Sequence, residues 1–382
     1  MQIPNSAVIV SHVYTTVPFD DLFEYLLSKK VTTILKISHP LYYDENSQSL
    51  CQLYQKGTLT STSVIRRATY LPLPVQYLLD CFLTFFWVFK HGTNWEVCVA
   101  LDNLNALTAI ILRSIGKVQK AIYYTIDFTP TRFPNALINN VYHFLDRLAV
   151  SYADITWNVS DQIRQGRRKV RKMVGKNYER QITVPIGVWL TKPNNTKSKR
   201  KKYSLVYAGG LSPHQGIQLV ISTLPLLKKD FPELTLTIIG KGSYEIELRE
   251  LAKKLDVENM IKWLGYYDNH HSVIKELQKH QIALALYNPK LSLWSQYADP
   301  SKIKSYLACG LPVITTTVTY MASVLEKNDA GIVVRYQTAD VILAIKKLLN
   351  NKQLYDKYSK STLQLIKTYD WNAVFDQAFK LS

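Results

Sequence analysis

At 382 residues, with 47% hydrophobic and 20% charged side chains, the chain exceeds what one hydrophobic core supports and has the composition of a globular protein of roughly two domains. Its formal net charge of +18 is uneven: residues 1–202 carry 26 Lys and Arg against 13 Asp and Glu, densest at 164–180 and 197–202, which suits an anionic partner such as membrane headgroups, nucleic acid or a phosphorylated substrate. Four cysteines far apart, with no CxxC, support neither a zinc site nor a disulfide framework, and "MQIPNSAVIV" does not read as a secretory leader, so a cytoplasmic location is expected.

In chain order, "AVIV" (7–10) and "VTTILKI" (31–37) read as strands flanking the helical "FDDLFEYLLSK". Ser11 and His12 end the first of these strands. Residues 71–90, "LPLPVQYLLDCFLTFFWVFK", are almost long enough to span a bilayer, but a central Asp costs roughly 2.5–3.5 kcal/mol on insertion scales. Asp80 therefore speaks against a span and leaves two readings, a buried helix or an interfacial one with "FFWVFK" at the lipid boundary. "EVCVAL" (96–101), "AIYYTI" (121–126) and "DITWNVS" (154–160) continue the strands, with helices between. Asp102 and Asn103 stand at one strand end, where Asp102 is a natural helix N-cap. Asp127 stands at another, where a carboxylate can orient a hydroxyl, steady developing positive charge or cap the next turn. The basic run at 164–180 holds a single aromatic, Tyr178, which argues against a specific nucleic-acid site.

The alternation predicts an α/β fold: two doubly wound, Rossmann-like parallel-sheet domains facing each other across a cleft. The boundaries expected are a first domain over 1–190, a basic linker over 191–202, a second domain over 203–365 and a C-terminal helix over 366–382. The second series of strands begins at "YSLVYAGG" and continues through "TLTIIGKG", "IKWLGYY", "IALALY", "LPVITT" and "GIVVRY". Gly209, Gly210, Gln215 and Gly216 occupy its first strand-to-helix loop, where glycines let a backbone approach a diphosphate. Lys241 lies in the second loop, and Gly265 and Tyr266 in the third. "DPSKIKSYLACG" then reads as a helix with Asp299 as N-cap, Pro300 at the first turn, and Ser301, Lys302 and Ser305 together on one face. A phosphate site and a well-capped surface helix are both open there. His270 and His271 lack partners at metal-ligand spacing, so no metal is expected. Trp371, Phe375 and Phe379, four apart, form a core stripe.

The stretches "VYAGGLSPHQGIQLVI", "TIIGKGSYEIELRELAKKL", "MIKWLGYY", "DPSKIKSYLACGLPVITT" and "ASVLEKNDAGIVV", in that order, resemble retaining glycosyltransferases of the GT-B fold, specifically family 4 (group 1). The resemblance implies a nucleotide-diphosphate sugar held by the C-terminal domain and an acceptor held mainly by the N-terminal one. It also implies metal-independent transfer with retention, no cofactor, and a last helix crossing back to the first domain. The donor motif is divergent. Gly210 and Gln215 stand where the family has a phosphate-binding Arg and Lys. Its two glutamates, eight apart, correspond to Tyr297 and Ser305. Ser305 keeps one hydrogen bond for a ribose, Asp299 is a substitute acid or only the cap, and Lys302, with Lys304 or Lys241, is left for the diphosphate. Glu326 matches a family acid near the nucleotide or is an exposed charge. Asp127 falls near a family His or acid that contacts the sugar, and Ser11 and His12 fall at its acceptor loop without the usual glycine pair. The expected function is therefore sugar transfer in cell-surface polysaccharide or glycolipid synthesis, at the inner face of the cell membrane. The alternative is a degenerate, non-catalytic GT-B subunit or glycan-binding partner.

Overall fold

The computed structural model describes residues 2–12, 18–41, 48–92, 94–190, 200–292 and 294–382. They form two compact units, Met1–Pro185 with Trp371–Ser382, and Ile186–Asp370.

The first unit is built on an eight-stranded sheet of β1 (Ser6–His12), β2 (Thr33–His39), β3 (Gln48–Gln55), β4 (Thr58–Arg66), β5 (Trp95–Ala100), β6 (Val118–Thr125), β7 (Ile155–Asn158) and β8 (Gln181–Thr183). The spatial order is β4-β3-β2-β1-β5-β6-β7-β8. From β2 to β8 the neighbours are parallel, and the apolar run of β1 is buried along both faces, as a central parallel strand requires. β3 and β4 are different: they form an antiparallel hairpin on the edge, turning at Lys56 and Gly57, both with positive φ. The hairpin corrects the expectation of a purely parallel sheet.

Helices Leu73–His91, Asn103–Ser114 and Ala136–Tyr152 cover one sheet face, sharing a core with Val8, Val10, Leu35, Ile37, Trp87, Ala106 and Ala149. The other face receives helices Phe19–Ser28 and Trp371–Leu381. There Phe379 meets the Trp157 ring edge-on with centroids 5.2 Å apart, and Tyr25 stacks on Phe379 at 5.9 Å.

The second unit holds β9 (Ser204–Ala208), β10 (Thr235–Ile239), β11 (Ile261–Gly265), β12 (Ile282–Ala285), β13 (Val313–Thr316) and β14 (Gly331–Val334). All neighbours are parallel, in the order β11-β10-β9-β12-β13-β14. Of the linker expected at 191–202, residues 191–199 lie outside the described residues. The units divide earlier, at Pro185. Beyond it the Val188 amide donates to the Tyr369 carbonyl (2.8 Å) and the Leu190 amide to the Asp370 carboxylate (3.2 Å), which ties this segment into the second unit before the polarity changes.

Candidate functional site

In both sheets the connectivity reverses at one strand: β1 lies between β2 and β5, and β9 between β10 and β12. The carboxyl ends beside such a reversal are where open α/β sheets bind ligands.

In the second unit three loops are sewn together at that edge. The Gly209 amide donates to the Ile239 carbonyl (2.9 Å), Leu211 to Lys241 (3.1 Å) and Gly240 to Gly265 (2.7 Å). Gly240, at φ +138°, admits no side chain, because a Cβ would run into the Gly209 carbonyl. Across the reversal, the His214 carbonyl accepts from the Asn288 amide (2.9 Å) and the Ser292 hydroxyl (3.0 Å), and the His214 ring meets Trp294 edge-on at 5.2 Å.

Lys302 is the cation of this edge. Its Nζ donates to the Tyr207 hydroxyl (3.0 Å) and to Gln215 Oε1, and lies 4.5 Å and 5.3 Å from the ring centroids of Tyr207 and Tyr287. Loss of hydration lowers its pKa to about 7. A Cβ at Gly209 would stand 2.8 Å from Nζ, so the glycine leaves the loop room to pass over the ammonium. Gly210 beside it is exposed, with open space where a Cβ would be. Gly216 closes the loop against the Leu286 carbonyl. The arrangement is a half-buried lysine among glycine-bearing loops at a sheet's carboxyl edge, and it is suited to an anion. Exposed Ser301 begins the adjoining helix, and exposed Lys241, with Nζ 4.7 Å over the exposed Tyr266 ring, lies in the loop after β10 beside the end of β11.

Several expectations change. Asp299 is not the N-cap of helix Ser301–Ala308, whose cap position is Pro300. Its carboxylate is buried, ion-paired with Lys304, and accepts from the Tyr320 hydroxyl (2.9 Å) and the Ile186 amide (2.7 Å). That pairing takes Lys304 from the diphosphate and Asp299 from a catalytic role. Ser305 is also buried, its hydroxyl 3.5 Å from the Ser301 carbonyl, and Tyr297 is buried too. Glu326 is exposed near the end of helix Met321–Lys327, close to Ala330, whose carbonyl accepts from the Val313 amide. That is the amino end of β13, so Glu326 stands at the wrong edge.

In the first unit, Ser11, His12, Asp102 and Asn103 do meet at the reversal, but turned inward. The Ser11 hydroxyl donates to the His12 carbonyl (2.8 Å), and Asn103 Nδ2 to the Tyr142 carbonyl (3.2 Å). Asp102 caps helix Asn103–Ser114 through the Asn105 amide (2.9 Å) and accepts from His12 Nδ1 (2.9 Å). His12 Nε2 lies 3.4 Å from Asp80, which pairs with Arg67. Burial alone would lower the His12 pKa, but Asp102 and Asp80 outweigh it and raise it to about 9. Burial and the His12 charge lower that of His39 to about 3, and its ring bonds Ser49 (2.9 Å) and Thr84 (2.8 Å). His12 and Asp102 therefore belong to a buried network with Arg67, Asp80, His39, Ser49 and Thr84, while Ser11 and Asn103 are buried beside it on backbone carbonyls. Asp127 is the exception, exposed two residues past β6 and paired with Arg132 Nη1 (2.6 Å). Sequence reasoning missed Tyr207 and Tyr287, which form the Lys302 pocket; aromatic ends on two strands flanking a reversal were the available signal.

Comparisons with known proteins bear on the family and the fold. The family of glycosyl transferases group 1 matches residues 190–364. Among curated proteins, the UDP-N-acetylglucosamine–peptide N-acetylglucosaminyltransferase GtfA subunit of Streptococcus agalactiae is 24% identical over 255 residues, 65% of this chain and 47% of that protein. A phosphatidyl-myo-inositol mannosyltransferase of Mycolicibacterium smegmatis is 25% identical over 170 residues, 44% of this chain and 42% of that one. The chain thus spans about half the length of the curated relatives it matches. Among solved structures, Anabaena Alr3699/HepE in complex with UDP superposes with a TM-score of 0.71 at 12% identity, covering 98% of both chains. WaaG, a glycosyltransferase involved in lipopolysaccharide biosynthesis, gives 0.65 at 13%, covering 97% of this chain and 98% of that one. The chain accordingly has the GT-B fold, and its residues 190–364 are similar to the glycosyl transferases group 1.

Proposed function

We propose that the protein is a glycosyltransferase that moves a sugar from a nucleotide-diphosphate donor to a glycan or lipid-linked acceptor, in cell-surface polysaccharide or glycolipid synthesis on the inner face of the cell membrane. The observation that carries this reading is Lys302, partly desolvated among Tyr207, Tyr287 and Gln215 beneath Gly209. A diphosphate arriving there displaces Gln215 from the ammonium and meets the loop amides around Gly210 and Gly242. Metal-independent transfer is part of the reading, with Lys302 and those amides meeting the diphosphate charge. The acceptor oxygen forms its bond to the anomeric carbon as the bond to the diphosphate breaks, and the acceptor proton leaves with the diphosphate. Retention follows if both occur on one face of the sugar. Exposed Asp127 orients the acceptor hydroxyl.

Calorimetric titration with UDP, GDP, ADP and CMP tests the donor site. One of them is expected to bind, about tenfold more weakly after Lys302→Ala. Because only protonated Lys302 attracts the anion, affinity should also fall as pH rises above about 7. No binding to any nucleotide, or binding indifferent to Lys302→Ala, overturns the assignment.

A second reading, a non-catalytic subunit or glycan-binding partner, is favoured by the absence of an acid at Tyr297 and Ser305 and by the burial of Asp299. Sugar-nucleotide turnover that is lost in Asp127→Ala but persists with a chelator excludes that reading. Nucleotide binding without turnover on any acceptor supports it.

A further inference from the structure

Helix Leu73–His91 is long and apolar enough to cross a bilayer, yet it lies in the first unit's helix layer with Thr84, Trp87 and Val88 in the core. Its one acidic residue, Asp80, is turned inward to Arg67 and His12. The same holds for the whole layer. Helices Leu73–His91, Asn103–Ser114 and Ala136–Tyr152 contain a single other acid, Asp146, and it is buried against Arg167 (2.7 Å). The outward surface of the three helices therefore offers no carboxylate of their own.

It offers large apolar side chains instead. Leu78, Phe82, Phe86 and Phe89 form one stripe of the first helix, exposed by 67, 70, 49 and 48%, and Phe82, Phe85, Phe86, Phe89 and Lys90 line a shallow groove of about 550 Å³. The neighbouring helices add Ile111 and Phe144, also exposed. Cations rim the stripe: Lys90 Nζ lies 5.9 Å from the Phe86 ring centroid and Lys117 Nζ 5.0 Å from that of Phe89, so their stems run along the apolar surface while their charges stay at its edge. Exposed Arg147, on helix Ala136–Tyr152, adds a further cation to the layer and bonds the Arg171 carbonyl at the end of the basic helix Asp161–Arg171.

We propose that this helix layer docks on an anionic lipid bilayer, with Phe82 and Phe86 among the acyl chains at the headgroup boundary and Lys90, Lys117 and Arg147 on lipid phosphates. An apolar stripe with a cationic rim and no outward acid on its own helices complements a negatively charged apolar slab. The surface belongs to the first unit alone, so the proposal stands or falls independently of the donor site.

The test is sedimentation of the full chain with vesicles of phosphatidylcholine, or of phosphatidylcholine mixed with phosphatidylglycerol. Binding is expected to the mixed vesicles, to weaken as salt is raised, and to drop about tenfold or more in Phe82→Ser/Phe86→Ser. Lys90→Glu/Lys117→Glu should abolish the preference for the anionic lipid. In each variant an unchanged thermal midpoint and unchanged nucleotide titration show that the fold and the second unit are intact. Absence of vesicle binding, or binding indifferent to both double variants, overturns the proposal. So does a dimer in light scattering that Phe82→Ser/Phe86→Ser dissociates, because the stripe would then be an interface between copies.

Discussion

His12 shows how a residue at a sheet's carboxyl edge can be committed to stability. Its pKa stands near 6.5 in an unfolded chain and near 9 in the folded one, because Asp102 and Asp80 hold its proton. The folded state binds that proton more tightly. The stabilisation is therefore complete below about pH 6.5, falls as pH rises through 9, and totals on the order of 3 kcal/mol. Thermal unfolding between pH 6 and 9.5 should show the midpoint falling in the native protein and nearly flat in His12→Gln; an equally steep fall in the variant would assign the titration elsewhere. The edge around this cluster shows how the sequence could offer Ser11, His12, Asp102 and Asn103 as acceptor contacts, although its reading of Asp102 as a helix N-cap holds. Their strand-end positions were legible. Their inward direction was not, because for His12 it depends on Asp80 and Arg67 and for Asn103 on Tyr142, whose places in space no spacing reveals.

Among the elements, helix Ser301–Ala308 divides in the same way. Its extent, its apolar stripe of Ile303, Tyr306 and Leu307, and Lys302 on its open side follow from residue order. The fate of Asp299 does not, since an N-cap and an ion pair with Lys304 are equally compatible with "DPSKIK". The buried pair makes a firm expectation: Lys304→Met leaves an uncompensated carboxylate and should cost about 3–5 kcal/mol in urea unfolding. Asp299→Asn/Lys304→Met should recover much of that loss; a double variant as unstable as the single one would show that Lys304 acts by packing. The hairpin of β3 and β4 was readable from "QSLCQLYQKGTLTSTSVIR", whose β-rich runs meet at a two-residue Lys-Gly turn. The βα rhythm on either side obscured it.

For the whole molecule, the last eleven-residue helix, Trp371–Leu381, belongs to the first unit although it follows the second in the chain. Its Phe375 and Phe379 rings close the sheet face over Tyr25 and Trp157. Phe379→Ala should cost about 3–5 kcal/mol by opening a cavity there, lowering the thermal midpoint while leaving nucleotide titration below that midpoint unchanged. An unchanged midpoint would mean that the helix end contributes little to the first unit. The sequence by itself determined two alternating α/β units, the six strands of the second, the glycine loops and the placing of Lys302 on a helix beside them. These follow from periodicity and local backbone chemistry, which act between near neighbours. Only the tertiary structure decided which charges are buried. It buried Asp299, Asp80 and Asp102 with internal cations and left Lys302 half-buried among neutral partners and Asp127 exposed, because burial is decided by contacts between segments far apart in the chain, such as Ile186 with Asp299 and His12 with Asp80 and Asp102.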